Sequence, residues 1–194
     1  MQFIEGLDIG IWNFLQAIRQ NRPVVDPAIA VLHWLDTPLV LLVLLALAVV
    51  VCINRHQVRS AVFLLAAFLG GGLLAWGMLE LVGRERPMAV GIRHESATNL
   101  YCFPSEQALL ATVTYLALAF VLADARPARR GLIVTLGLGV VLVLGVSRMF
   151  MGMCFPSDVV GAWLGGGAWV LFCRWADQRL RPVGPAEPAE LAKA

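Results

Sequence analysis

The chain has 194 residues, of which 59% are hydrophobic and 14% charged, against about 45–50% and about 25% in an average globular domain. That balance excludes a single water-soluble domain, which could not bury so much apolar surface, and makes the bilayer the solvent for much of the chain. A formal net charge of +2 and the absence of any Lys/Arg-rich run exclude a nucleic-acid partner.

In chain order, Phe3, Leu7, Ile11, Phe14, Leu15 and Ile18 recur at helical spacing with polar residues between them. This pattern predicts an amphipathic helix lying at the membrane interface, with Asp8 as a candidate N-cap. Glu5 and Asp8 lie where a basic leader segment would be, so no cleavable signal peptide is expected. Pro23 and Pro27 break the chain, and residues 28–35 read as a short helix before Pro38.

Five apolar stretches follow, at 37–53, 60–82, 105–123, 131–146 and 157–173. Their lengths suit membrane-spanning helices of roughly 17–25 residues. The last contains Gly161, Gly165, Gly166 and Gly167, small residues that would let a neighbouring helix approach closely. The expected fold is therefore all-α: an integral membrane bundle of about five transmembrane helices plus the interfacial helix. Residues 1–175 form one membrane domain, and residues 176–194, with their Pro, Ala and Glu, read as a disordered tail.

Basic residues set the expected orientation. Arg55 and Arg59 follow the first span, and Arg126, Arg129 and Arg130 follow the third. Arg174, Arg179, Arg181 and Lys193 follow the fifth. Short cytoplasmic loops carry an excess of Lys and Arg. This end is thus assigned to the cytoplasm of a bacterial inner membrane, with the C-terminus inside. The opposite, periplasmic end holds the N-terminal helix, the loop 83–104 and the turn 147–156.

The chemistry-bearing residues gather at that opposite end. The first loop gives Arg84, Arg86 and Pro87, then Cys102-Phe103-Pro104-Ser105-Glu106-Gln107. The second gives Ser147-Arg148, then Cys154-Phe155-Pro156-Ser157-Asp158. The same word, Cys-Phe-Pro-Ser-acid, stands at the start of two helices. Serine followed by an acid suits a helix N-terminus, so capping is one reading of both. Arginines beside helix N-termini also suit an anion.

These words resemble the three motifs of the type-2 phosphatidate phosphatase and haloperoxidase superfamily. Gly83-Arg84-Glu85-Arg86-Pro87 matches the end of the first motif. Pro104-Ser105 matches the start of the second, and Ser147-Arg148 with Asp158 matches the third at its proper spacing. The resemblance implies a membrane fold that binds a lipid phosphate through Arg86, Ser105 and Arg148. It assigns the catalytic positions to Gln107, Cys154 and Asp158. Three departures bear on activity: Leu79 holds the place of a phosphate-binding Lys, Gln107 that of the acid His, and Cys154 that of the nucleophilic His. His33, His56 and His94 are outside the motifs.

Glutamine cannot act as a general acid, whose loss typically costs about 10²–10⁴-fold. Arg148 would favour a Cys154 thiolate, while the Asp158 anion would raise the thiol's pKa. The convergence of the motifs implied by the resemblance also makes Cys102 and Cys154 a candidate disulfide. That bond would staple the two loops and close the site to catalysis; the alternative is two buried free thiols. Cys52 and Cys173 lie toward the other, reducing end and are expected to be free. No cofactor or metal is expected.

Three functions fit the sequence. The leading one is a catalytically degenerate lipid-phosphatase-like protein that binds a membrane lipid phosphate or headgroup. The others are a phosphatase on a phospholipid or undecaprenyl phosphate using Cys154, and a structural subunit with a membrane-protein partner.

Overall fold

The computed structural model describes residues 2–21, 26–84 and 101–180. Helix α1 (Gln2–Asn21) is followed by α2 (Asp26–Leu35), α3 (Pro38–Asn54) and α4 (Val58–Val82). Then come α5 (Glu106–Ala125), a single 3-10 turn at Pro127–Arg129, α6 (Arg130–Phe150) and α7 (Pro156–Arg179). The turn and α6 taken together, and each of α4, α5 and α7, are long and apolar enough to cross a bilayer. The pair α2–α3, bent by 47° at its break, passes the same test only when its two helices are taken together, which brings the candidate spans to four or five. The expected all-α bundle with an added N-terminal helix is what the chain forms.

The bend has a local cause. Proline lacks an N–H and disfavours helix in the preceding residue, and Pro38 opens α3 with Thr37 extended before it. The Thr37 hydroxyl donates instead to the Trp34 carbonyl at 2.8 Å. The break leaves Asp36 at the inside of the elbow, fully buried.

Helix α5 is the hub, packed against α3, α4, α6 and α7. It presents Ala108, Ala111, Thr112 and Ala117 inward, all buried. The leucines that face outward, such as Leu47, Leu69, Leu73 and Leu164, are exposed to where lipid tails lie. Small residues inside and large ones outside suit a bundle held by close packing rather than by exclusion from water. A Cβ at Gly166 would come within 3.1 Å of Thr112, and one at Gly161 within 2.9 Å of the Phe103 ring. Gly165 and Gly167 have room for a side chain, so close approach uses two of the four glycines of α7.

Arg59 donates to the Asp177 carbonyl at 3.1 Å, and Arg174 pairs with Asp124 through two hydrogen bonds. The basic residues of alternate loops therefore share one end of the bundle. The expected boundary at 175 falls inside α7, which continues to Arg179. The segment after Leu180, with Arg181 and Lys193, lies outside the described residues.

Candidate functional site: the buried polar end of the bundle

At the other end, the C-termini of α4 and α6 meet the N-termini of α5 and α7. Gly83, at a left-handed φ of 57°, ends α4 and turns the chain so that Arg84 points back over the bundle. The Cys102 N–H donates to the Arg84 carbonyl at 2.8 Å, and the Ser105 N–H to the Asp158 carbonyl at 3.1 Å. These two backbone bonds hold together the residues of all three motifs.

Asp158 is fully buried, and its carboxylate accepts the Phe155 N–H at 2.8 Å. It acts as the N3 acid of a capping box for α7. Phe155, not Ser157, is therefore the N-cap of α7, with Pro156 at its first position. Ser105 does stand at the N-cap of α5, but its side chain makes no capping bond. The capping reading of the repeated word thus holds only for the acid of the second copy.

Ser157 is turned to a different partner. Its N–H and hydroxyl donate to the two oxygens of Asp8 at 3.0 and 2.6 Å. Arg84 completes the cluster: one nitrogen reaches Asp8 at 2.7 Å, and the other reaches Ser157 Oγ at 2.6 Å and Asp158 at 3.0 Å. The guanidinium also lies over the Phe155 ring, 4.7 Å from its centroid. Burial alone would raise the Asp8 pKa, but the hydrogen bonds from Ser157 and Arg84 and the Arg84 charge outweigh it. The carboxyl is held below its ordinary 3.8. Burial likewise opposes the Arg84 charge, and Asp8 and Asp158 more than offset it, so its pKa is raised. Asp8 lies in the second turn of a helix that starts at Gln2 and is not an N-cap.

Helix α1 crosses the loop between α6 and α7. Beyond Asp8, Gln16 donates to the Met149 and Phe150 carbonyls at 3.1 and 3.2 Å, and Arg19 reaches the Phe150 and Met151 carbonyls. The strap thus sets an anion at the N-terminus of α7 and a cation at the C-terminus of α6, each against the opposite end of a helix dipole.

Arg148 is 2% exposed. Its Nε donates to Asp36 at the α2–α3 elbow, and Asp36 in turn lies 3.5 Å from His33 Nδ1. Cys102 and Cys154, both buried, are joined as a disulfide with their Cα atoms 6.1 Å apart. Cys52 and Cys173 carry free thiols. The two bonded sulfurs and an Asp158 oxygen lie within 4.8 Å of one another, a spacing a metal would accept. Sulfurs bonded to each other have no thiolate to offer, so the donor set does not fit a metal.

Leu79 is buried in α4, and Gln107 is half-buried at the start of α5. Arg86 and His94 lie outside the described residues. The residues that sequence reasoning missed are Asp8 as a partner of Arg84, Ser157 as its donor, and the His33–Asp36 pair. A carboxylate at the mouth of an apolar span is costly unless paired, and Asp36 before the stretch 37–53 carried that signal.

A family model described as the PAP2 superfamily matches residues 60–182. The fold matches the crystal structure of a transmembrane PAP2-type phosphatidylglycerolphosphate phosphatase from Bacillus subtilis. The TM-score is 0.83 over 94% of this chain and 90% of that one, at 21% sequence identity. At that identity the likeness is one of fold. No curated protein matches the chain.

Proposed function

The chain belongs to the PAP2 superfamily as a multi-pass membrane protein, and we propose that it is a catalytically silent member that binds a lipid phosphate at the motif end of the bundle. The observation that carries this reading is the disulfide between Cys102 and Cys154. The atom at the nucleophile position is spent in a bond to sulfur, and a disulfide sulfur does not attack phosphorus. Gln107 has no proton to give a leaving oxygen near neutral pH, and Leu79 brings no charge to a phosphate. What the site keeps is the arginine, the serine and the acid of the family's motifs: Arg148, Ser105 and Asp158, with Arg86 on the first loop. Arginine is the residue best suited to phosphate recognition.

The proposed setting is a bacterial inner membrane, with the motif end in the periplasm and the basic end in the cytoplasm. Two independent features support it: the basic loops obey the bias toward the cytoplasmic side, and disulfides persist in oxidising compartments. The lipid is the primary partner in this account. The phosphatidylglycerolphosphate phosphatase activity of the Bacillus subtilis protein is what this chain would have given up.

The test is inorganic phosphate release by the purified protein from phosphatidate, phosphatidylglycerol phosphate and undecaprenyl phosphate. It is run with and without reductant beside a Cys154→Ser variant. No release above the variant in either redox state is the expected result. Release that needs Cys154 and appears on reduction would make the protein a thiol-dependent phosphatase and end this reading.

A further inference from the structure

Five buried side-chain nitrogen or oxygen atoms have no hydrogen-bond partner among the described residues, and three of them belong to one cluster: Arg148 Nη2, Asp36 Oδ1 and His33 Nδ1. A buried polar group left unpaired is expensive, and a charged one more so. Such a concentration at one point needs an explanation. The cluster is assembled from two places distant in the chain: Arg148 from the C-terminal turn of α6, and His33 and Asp36 from α2 and the elbow after it. Asp36 is the hinge of the arrangement, with one oxygen accepting from Arg148 Nε and the other facing His33 at 3.5 Å. Arg148 is 2% exposed and Asp36 fully buried, while the His33 side chain is 31% exposed and forms the edge that opens outward.

The chemistry of the three atoms is complementary to one kind of group. Arg148 Nη2 is a donor carrying positive charge. His33 Nδ1 donates in the tautomer that bears hydrogen there. Asp36 Oδ1 is an acceptor only. Two donors and one acceptor side by side match a phosphomonoester that keeps one proton: two bare oxygens for the donors and one P–OH for the carboxylate. A phosphodiester has no P–OH and would set its charge against Asp36.

The geometry points to His33 and Asp36 as ligands of the phosphoryl group alongside Arg148, selecting a phosphomonoester over a diester. This inference rests on the lipid-phosphate reading above and adds to it two residues that lie outside all three motifs.

The experiment measures binding by the full-length protein in nanodiscs, using dihexanoyl phosphatidate as the monoester and dihexanoyl phosphatidylmethanol as the diester. Inorganic phosphate serves as competitor. His33→Leu is expected to weaken phosphatidate binding about tenfold, the effect of losing one hydrogen bond to a charged group. His33→Asn, which keeps a donor near the Nδ1 position, is expected to restore most of it. Arg148→Lys keeps a charge for Asp36 and is expected to weaken binding at least as much. The diester is expected to bind at least about tenfold more weakly than the monoester. Competition by inorganic phosphate would assign recognition to the phosphoryl group itself, and its failure to compete would assign recognition to the lipid-borne form.

If His33→Leu binds like wild type while Arg148→Lys is weakened, the inference falls and the lipid-phosphate reading survives. Equal binding of the two lipids removes the role given to Asp36. If Arg148→Lys also binds like wild type, both fall together.

Discussion

At the scale of single residues, two arginines are answered by carboxylates. Arg148 and Asp36 are a buried pair, and removing one partner of such a pair leaves an uncompensated charge that costs about 3–5 kcal/mol. Arg148→Ala should therefore lower the unfolding free energy in detergent by about that amount, whereas Arg148→Leu with Asp36→Leu should recover most of it. A double variant as unstable as the single would show that the pair is not the source of the effect. Ser147, Arg148 and Asp158 were readable through their resemblance to the family's third motif, in which Cys154 stands at the place of a His. Their partners were not. Asp8 stands 76 residues from Arg84, and Asp36 stands 112 residues from Arg148 in sequence. No local spacing pairs them with an arginine; only the packing of α1 and α2 on the ends of α6 and α7 does.

At the scale of elements, α1 is held to the bundle by polar contacts from Asp8, Gln16 and Arg19. Its periodicity announced an amphipathic helix, and several of its apolar residues, including Leu7, Ile11 and Phe14, remain exposed for the membrane interface. Hidden from sequence was the polar side: Asp8 reads as a cap when the helix start is unknown, and as an anchor once α1 begins at Gln2. Because the folded Asp8 pKa is depressed, ionised Asp8 stabilises docking at pH values above its ordinary 3.8. That contribution is lost as the pH falls below this value and the carboxylate takes up a proton. Arg84, with its pKa raised, stays charged throughout. A fluorophore attached near Gln20 should report α1 loosening below about pH 4 in wild type. In Asp8→Asn it should report loosening at neutral pH with no further acid step. An acid transition of the same midpoint in both would remove Asp8 as the anchor.

At the scale of the whole molecule, the bundle separates two charged ends. The basic end carries Arg59, Arg174 and Arg179, and its ion pairs with Asp124 and Asp177 are internal. The motif end buries Arg148, Asp158 and the disulfide. The five apolar stretches were legible because a bilayer imposes length and composition together. The bend between α2 and α3 was signalled only by Pro38 and has its consequence in the placement of Asp36. An enzyme of this fold must let substrate in, protonate a leaving group and supply a nucleophile. Here the same end of the molecule is laced by a disulfide, strapped by a helix and fitted with an arginine whose Nη2 is unpaired among the described residues. These features suit holding a phosphate better than cleaving one. The measurement that bears most directly on this is native mass spectrometry of the protein extracted from its own membrane without added lipid. The expected result is a co-purifying phosphomonoester lipid that is retained intact by wild type and depleted in Arg148→Lys. Bulk phosphodiester lipids alone, in equal amounts on both proteins, would contradict it.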